Sequence, residues 1–114
     1  MALMRAKRTT AELYLNDLHV GTVHVMGWES SWGMGEFQPN DGFSRFAPLF
    51  GVWSLLMHAD DEGARMSSEA SEELRRVEYE IDRLRARLHF VETDEWRDVG
   101  PVNIDGKLVE WKER

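Results

Sequence analysis

Seven large aromatic side chains, Trp28, Trp32, Phe37, Phe43, Phe46, Phe50 and Trp53, fall within 26 residues of this chain, with four glycines and a proline threaded through residues 27–42. A chain of 114 residues builds one core, and a core of that size has little room for so many rings. Phe37, Phe43, Phe50 and Trp53 are expected to pin this stretch and the helix after it onto a sheet, because loops rich in such residues fold by burying them. Trp28, Trp32 and Met34 are expected to stay partly exposed. The segment Gly27 to Gly42 itself reads as a loop folded on itself, or as two short strands around Gly33.

Period and turn chemistry place the remaining elements. Thr10 to Leu15 alternates, Asn16-Asp17 tolerates the positive φ of a tight turn, and Leu18-His19-Val20 resumes the alternation, which predicts a β-hairpin. Val23 and Val25 fall on the other parity, so a bulge is expected at Gly21. Pro48 opens a helix to about His58, carried by Leu49, Phe50, Trp53, Leu56 and Met57, and stopped by Asp60-Asp61-Glu62-Gly63. Ser67 or Ser68 caps a second helix whose narrow apolar stripe is Leu74, Val77, Ile81, Leu84 and Leu88; Glu72 with Arg76 and Glu69 with Glu73 give mixed local support, so the helix depends on packing rather than on its own ion pairs. The period shifts toward two between Arg87 and Glu92, predicting a strand. Asp105-Gly106 then marks a second hairpin, with Val102, Ile104, Val109 and Trp111 on one face. The expected fold is α+β: an antiparallel sheet of about five strands (N-terminal hairpin, single strand, C-terminal hairpin) with two helices on one face, forming a single domain over residues 10–114 behind a tail of residues 1–9.

Charge narrows the partners. The formal net charge is −7, from 14 Lys and Arg against 21 Asp and Glu, and the basic residues form no cluster longer than Arg5-Ala6-Lys7-Arg8. A chain of this kind grips phosphates poorly, so no nucleic acid is expected as partner. A mimic of nucleic acid is disfavoured too, because Arg75, Arg76, Arg83, Arg85 and Arg87 interrupt the carboxylates of the second helix. No apolar run is long enough for a membrane span, and the basic start has no signal-type hydrophobic stretch behind it, so a cytoplasmic location is expected. With no cysteine there are no disulfides, thiolate metal sites or thiol nucleophiles.

Tyr14-Leu15-Asn16-Asp17-Leu18-His19-Val20-Gly21, the set Trp32, Gly35, Phe37, Pro39, Phe43 and Pro48-Leu49-Phe50, and Ile104-Asp105-Gly106 followed by Trp111 together resemble a group of small bacterial proteins with no established activity. The likeness spans Tyr14 to Trp111. Members commonly carry Asn-Gly at the first turn, where this chain has Asn16-Asp17, a difference confined to a turn. The resemblance implies one intact bacterial domain and carries no reaction, ligand or partner with it.

The candidate chemistry is thin. His19 and His24 sit five apart on a strand, and only the Gly21 bulge would bring them to one side; His58 precedes Asp60-Asp61, and His89 stands alone. Ser30-Ser31 lack the flanking glycines of a nucleophile elbow. Gly33-Met34-Gly35-Glu36 has no lysine and puts a carboxylate where a phosphate would bind. Asp41 and Asp60-Asp61-Glu62 lack the alternating oxygens of a calcium loop. A carboxylate pair Glu29 and Glu36 would need a deep cleft to hydrolyse a glycoside.

The residues therefore point to a protein with no catalytic residues, no metal and no cofactor. Its expected role is protein interaction through Trp28, Glu29, Trp32, Met34 and Glu36, with another protein or by self-association into a homodimer. Immunity proteins, antitoxins and accessory subunits are analogies of size and charge. The alternative is a small-ligand or metal-binding domain with weak hydrolytic potential, drawing on His19, His24, Glu29 and Glu36.

Overall fold

The structure, a computed structural model, describes residues 9–61 and 67–113, and of residues 60 and 61 the backbone alone. The expected tail apart from Thr9, the helix stop at Glu62-Gly63 and the carboxylates of Asp60 and Asp61 lie outside the described residues.

Strand β1 (Thr10–Leu15) turns into β2 (Leu18–Glu29) through Asn16 and Asp17, both left-handed at φ 51° and 67°, which suits the right-handed twist of a two-residue hairpin. Leu15 pairs with Leu18 and Tyr14 with His19, but Leu13 pairs with Gly21, so Val20 is the extra residue of a bulge and the strand turns Val20 and Val23 both inward. A second slip makes Met26 bulge outward before the chain reverses at Ser30 (φ 57°) into β3 (Trp32–Pro39).

Strand β3 corrects the sequence expectation. Residues 32–39 form a full strand rather than a loop, paired with β2 on one side and with β6 (Leu108–Glu113) on the other; of the two readings the pair of strands is nearer, but the reversal lies at Ser30-Ser31 and not at Gly33. Its glycines are not turn residues. Gly33 and Gly35 occupy inward positions where a Cβ would strike the Trp111 indole and the His24 carbonyl respectively, so the strand lies close to its neighbours because it has no side chains there.

A 3-10 turn at Asp41–Arg45, capped by the Asn40 side chain accepting the Gly42 N–H at 2.7 Å, leads into α1 (Ala47–Asp61). Helix α2 (Ser68–Asp82) begins at Ser67, whose hydroxyl accepts the Ala70 N–H at 3.1 Å. Its ion pair is Arg76 with Glu73, not with Glu72. Strands β4 (Ala86–Phe90) and β5 (Glu95–Asp105) follow, and Asp105 pairs with Leu108 across Gly106-Lys107.

The sheet is therefore neither open nor five-stranded, and the helices do not cover the face of an open sheet. It is a closed antiparallel barrel of six strands in the order β1-β2-β3-β6-β5-β4. Two three-stranded meanders, β1–β3 and β4–β6, meet at two seams. At one seam Ala11, Leu13 and Leu15 lie opposite Phe90, Leu88 and Ala86; at the other Gly33 and Gly35 lie opposite Trp111 and Val109. Closure satisfies backbone groups that an open sheet would leave unpaired at its edges.

Alternation fills the barrel: Leu13, Leu15, Val20, Val23, Phe37, Leu88, Phe90, Val99, Ile104, Val109 and Trp111 are all sealed inside. The end bearing the Asn16-Asp17 and Gly106-Lys107 turns is stoppered by the helical insert. Phe43 packs on Phe37 and on Phe50 at ring separations of 5.0 and 6.0 Å, and Trp53, Val77 and Ile81 join the same core. Both helices lie against β5, where Ser54 donates a hydrogen bond to the Ile104 carbonyl and His58 meets Asp105 at 2.9 Å. Near the opposite end, the Glu92 carboxylate accepts the Thr9 and Thr10 N–H groups and the Thr9 hydroxyl, at 3.2, 3.0 and 2.7 Å. The Thr9 hydroxyl is the main cause that holds this carboxyl down at about 2.

Candidate functional site

The β2–β3 hairpin carries all five residues expected to bind, but the period of a strand divides them. Glu29, Trp32, Met34 and Glu36 project outward, with Trp32 paired to Glu29 on β2 and to Lys112 on β6, and Met34 paired to Glu110. Trp28 has the opposite parity. It leans over the barrel mouth, edge-on to Trp111 at 6.3 Å and 6.4 Å from Phe90, and its indole N–H donates to Glu113 at 2.6 Å. Although 41% exposed, Trp28 caps the core and does not share a surface with Trp32. Both indoles are partly exposed as expected, but on different faces of the hairpin.

On the outer wall Glu29, Ser30, Trp32 and Met34 line a surface depression of about 460 Å³ together with Asn103 of β5 and Glu110 of β6. Glu36 lies farther along β3, between His24 and Leu108, and does not line it. Trp32 and Met34 are half-buried, while Met26 and Leu108 on the flanking strands are exposed. Among the described residues Glu29, Glu36 and Glu110 make no hydrogen bond or ion pair, and the Trp32 indole N–H has no acceptor. Asn103 and Glu110 were absent from the sequence reading, since only the β3–β6 and β5–β6 registers bring them beside Trp32 and Met34.

The wall across the β1–β4 seam is chemically richer but self-satisfied. His19 bonds Glu12 at 2.8 Å and Asn40 at 3.0 Å, and Thr22 donates to the same Glu12 carboxylate. Trp96 stacks on His89 at 4.4 Å, meets Tyr14 at 5.2 Å and receives the Arg87 guanidinium at 4.7 Å. His89 is held by Asp94 at 2.7 Å and Arg87 by Asp98 at 3.2 Å. Every strong polar group named there has an internal partner, so this belt ties the closing seam from outside.

The residues of the metal reading do not converge. His19 is engaged by Glu12 and Asn40; exposed His24 lies opposite Glu36, and Glu29 sits at the far tip of the hairpin. Among the described residues no three His, Cys, Asp or Glu side chains are placed to hold a metal ion. The backbone around Gly33-Met34-Gly35 is extended strand, and Ser30 sits at a hairpin tip, so neither forms a cradle or an elbow.

No family model, no curated protein and no solved structure matches the chain. No helix among the described residues is long and apolar enough to cross a membrane.

Proposed function

We propose that this chain is a non-catalytic protein-interaction module of bacterial type whose contact surface is the outer wall of β3, centred on Trp32 and Met34 and flanked by Glu29 and Glu110. The observation that carries this reading is the pairing of half-buried apolar side chains with carboxylates that have no partner among the described residues, around one depression. Tryptophan and methionine bury much area when a partner covers them, and the polar rim excludes competitors. Trp28, by contrast, belongs to the fold.

The absence of cysteine makes the test direct, because a photo-cross-linker attached to a Ser30→Cys variant goes to that site alone. In extract of the source cell it should capture a discrete partner, and adding Trp32→Ala and Met34→Ala should abolish capture. The same label on Asp98→Cys, across the barrel, should capture nothing specific. Equal capture from both walls, or capture insensitive to Trp32, would overturn the proposal.

A further inference from the structure

We infer that the depression beside Trp32 receives a lysine or arginine side chain presented by a basic segment of a partner protein; the inference rests on the docking surface proposed above. The depression, about 460 Å³, has room for a long side chain together with the backbone that presents it. Its lining is divided as such a side chain is divided. Trp32 and Met34 offer an apolar, polarisable surface for an alkyl stem and a ring face for a cation, and Glu29 and Glu110 supply the carboxylates for the head group.

Charge selects against the other occupants. Among the described residues Glu29, Glu36 and Glu110 share this wall with one Lys or Arg in register, Lys112, which lies directly across from Trp32. An uncharged apolar segment would cover these carboxylates without compensation. An anionic partner would be repelled. A second copy of this chain, itself at −7, would set the same three carboxylates against their counterparts across a two-fold axis. A basic segment alone gives the carboxylates what the fold does not. Lys112 is then a built-in competitor, and removing it should strengthen binding.

The probe is a capped Gly-Lys-Gly-Arg-Gly peptide, titrated while the Trp32 indole N–H and the amides of residues 29–34, 103 and 110 are followed by NMR. Saturable shifts confined to these positions are expected, with the dissociation constant rising about threefold in Glu29→Gln and again in Glu110→Gln, and falling in Lys112→Ala. These side chains are outside the core, and a dispersed spectrum confirms that each variant is folded. Raising salt from about 50 to about 300 mM should weaken binding. The inference is overturned by absent or unsaturable shifts, by shifts at every acidic surface alike, by equal binding of a norleucine version, or by a concentration-dependent dimer through this wall. A partner cross-linked from Ser30→Cys that the basic peptide does not displace removes the basic segment and leaves the docking surface standing. Failure of both experiments removes both.

Discussion

Gly33 faces the Trp111 indole so closely that a Cβ on residue 33 would overlap three of its ring atoms. The two residues are register partners across the β3–β6 seam, and Trp111 is among the largest fully buried side chains in the protein. Glycine in this strand is what allows a tryptophan to fill the barrel.

Gly33→Ala should therefore destabilise the fold by about 1–3 kcal/mol, the usual cost of overpacking a filled core. The same substitution at Gly51, exposed on α1 with open space around its would-be Cβ, should stabilise by roughly 0.5–1 kcal/mol through helix propensity. Urea unfolding of the two variants would show the opposite signs.

Trp28→Ala and Trp32→Ala should separate cleanly. The first removes a ring packed on Phe90 and Trp111 together with a hydrogen bond to Glu113, and should cost roughly 2–3 kcal/mol, below the full core value because the indole is partly exposed. Trp32→Ala should cost less than about 1 kcal/mol, as expected of a side chain on the outer wall. Thermal unfolding of both variants checks the pair, and equal losses would mean that Trp32 is structural.

Acid should loosen the start of β1 through Glu92. Its folded pKa, about 2, lies below the ordinary value of 4.5, so the stabilisation is present above pH 4.5 and is lost as pH falls from 4.5 through about 2. Glu92→Gln should be less stable than the parent at neutral pH, and the difference should vanish near pH 2. Hydrogen exchange at the Thr9 and Thr10 amides reads the same event locally, and a difference independent of pH would remove the carboxylate from this role.

The Tyr14–Trp96 contact spans two seams of hydrogen bonding, since the two rings meet across β4 at 5.2 Å. A double-mutant cycle with Tyr14→Ala and Trp96→Ala should give a coupling of about 0.5–1.5 kcal/mol. Zero coupling would mean that the outer belt does not help hold β1, β4 and β5 together.

What the sequence revealed was local. Asn16-Asp17 and Asp105-Gly106 announce hairpins because turn chemistry depends on adjacent residues, although the second turn falls one residue later, at Gly106-Lys107. Val102, Ile104, Val109 and Trp111 share the buried face that their alternation implies, and Ser67 caps α2. The full length of β3 was hidden because Gly33 and Gly35 look like breakers, which put the expected reversal at Gly33, until Trp111 and His24 are seen against them. Closure was hidden for the same reason, since without β3 nothing lies between β2 and β6. The first half of β5 was missed because Glu95, Arg97 and Asp98 interrupt any apolar alternation. Of the five site residues, four share a wall; Trp28 faces the other side because the Met26 bulge resets the parity of β2, which the sequence pattern does not show.

β6 is the stave that fits between β3 and β5, and it leaves the ribosome after both of them. Until it emerges, the nascent chain has two bare strand margins and an interior lacking its tryptophan, a state open to pairing with other chains. Pairing of β6 with both neighbours is thus the step that removes the chain's own aggregation hazard, and a variant in which β6 cannot pair should be more adhesive than the parent.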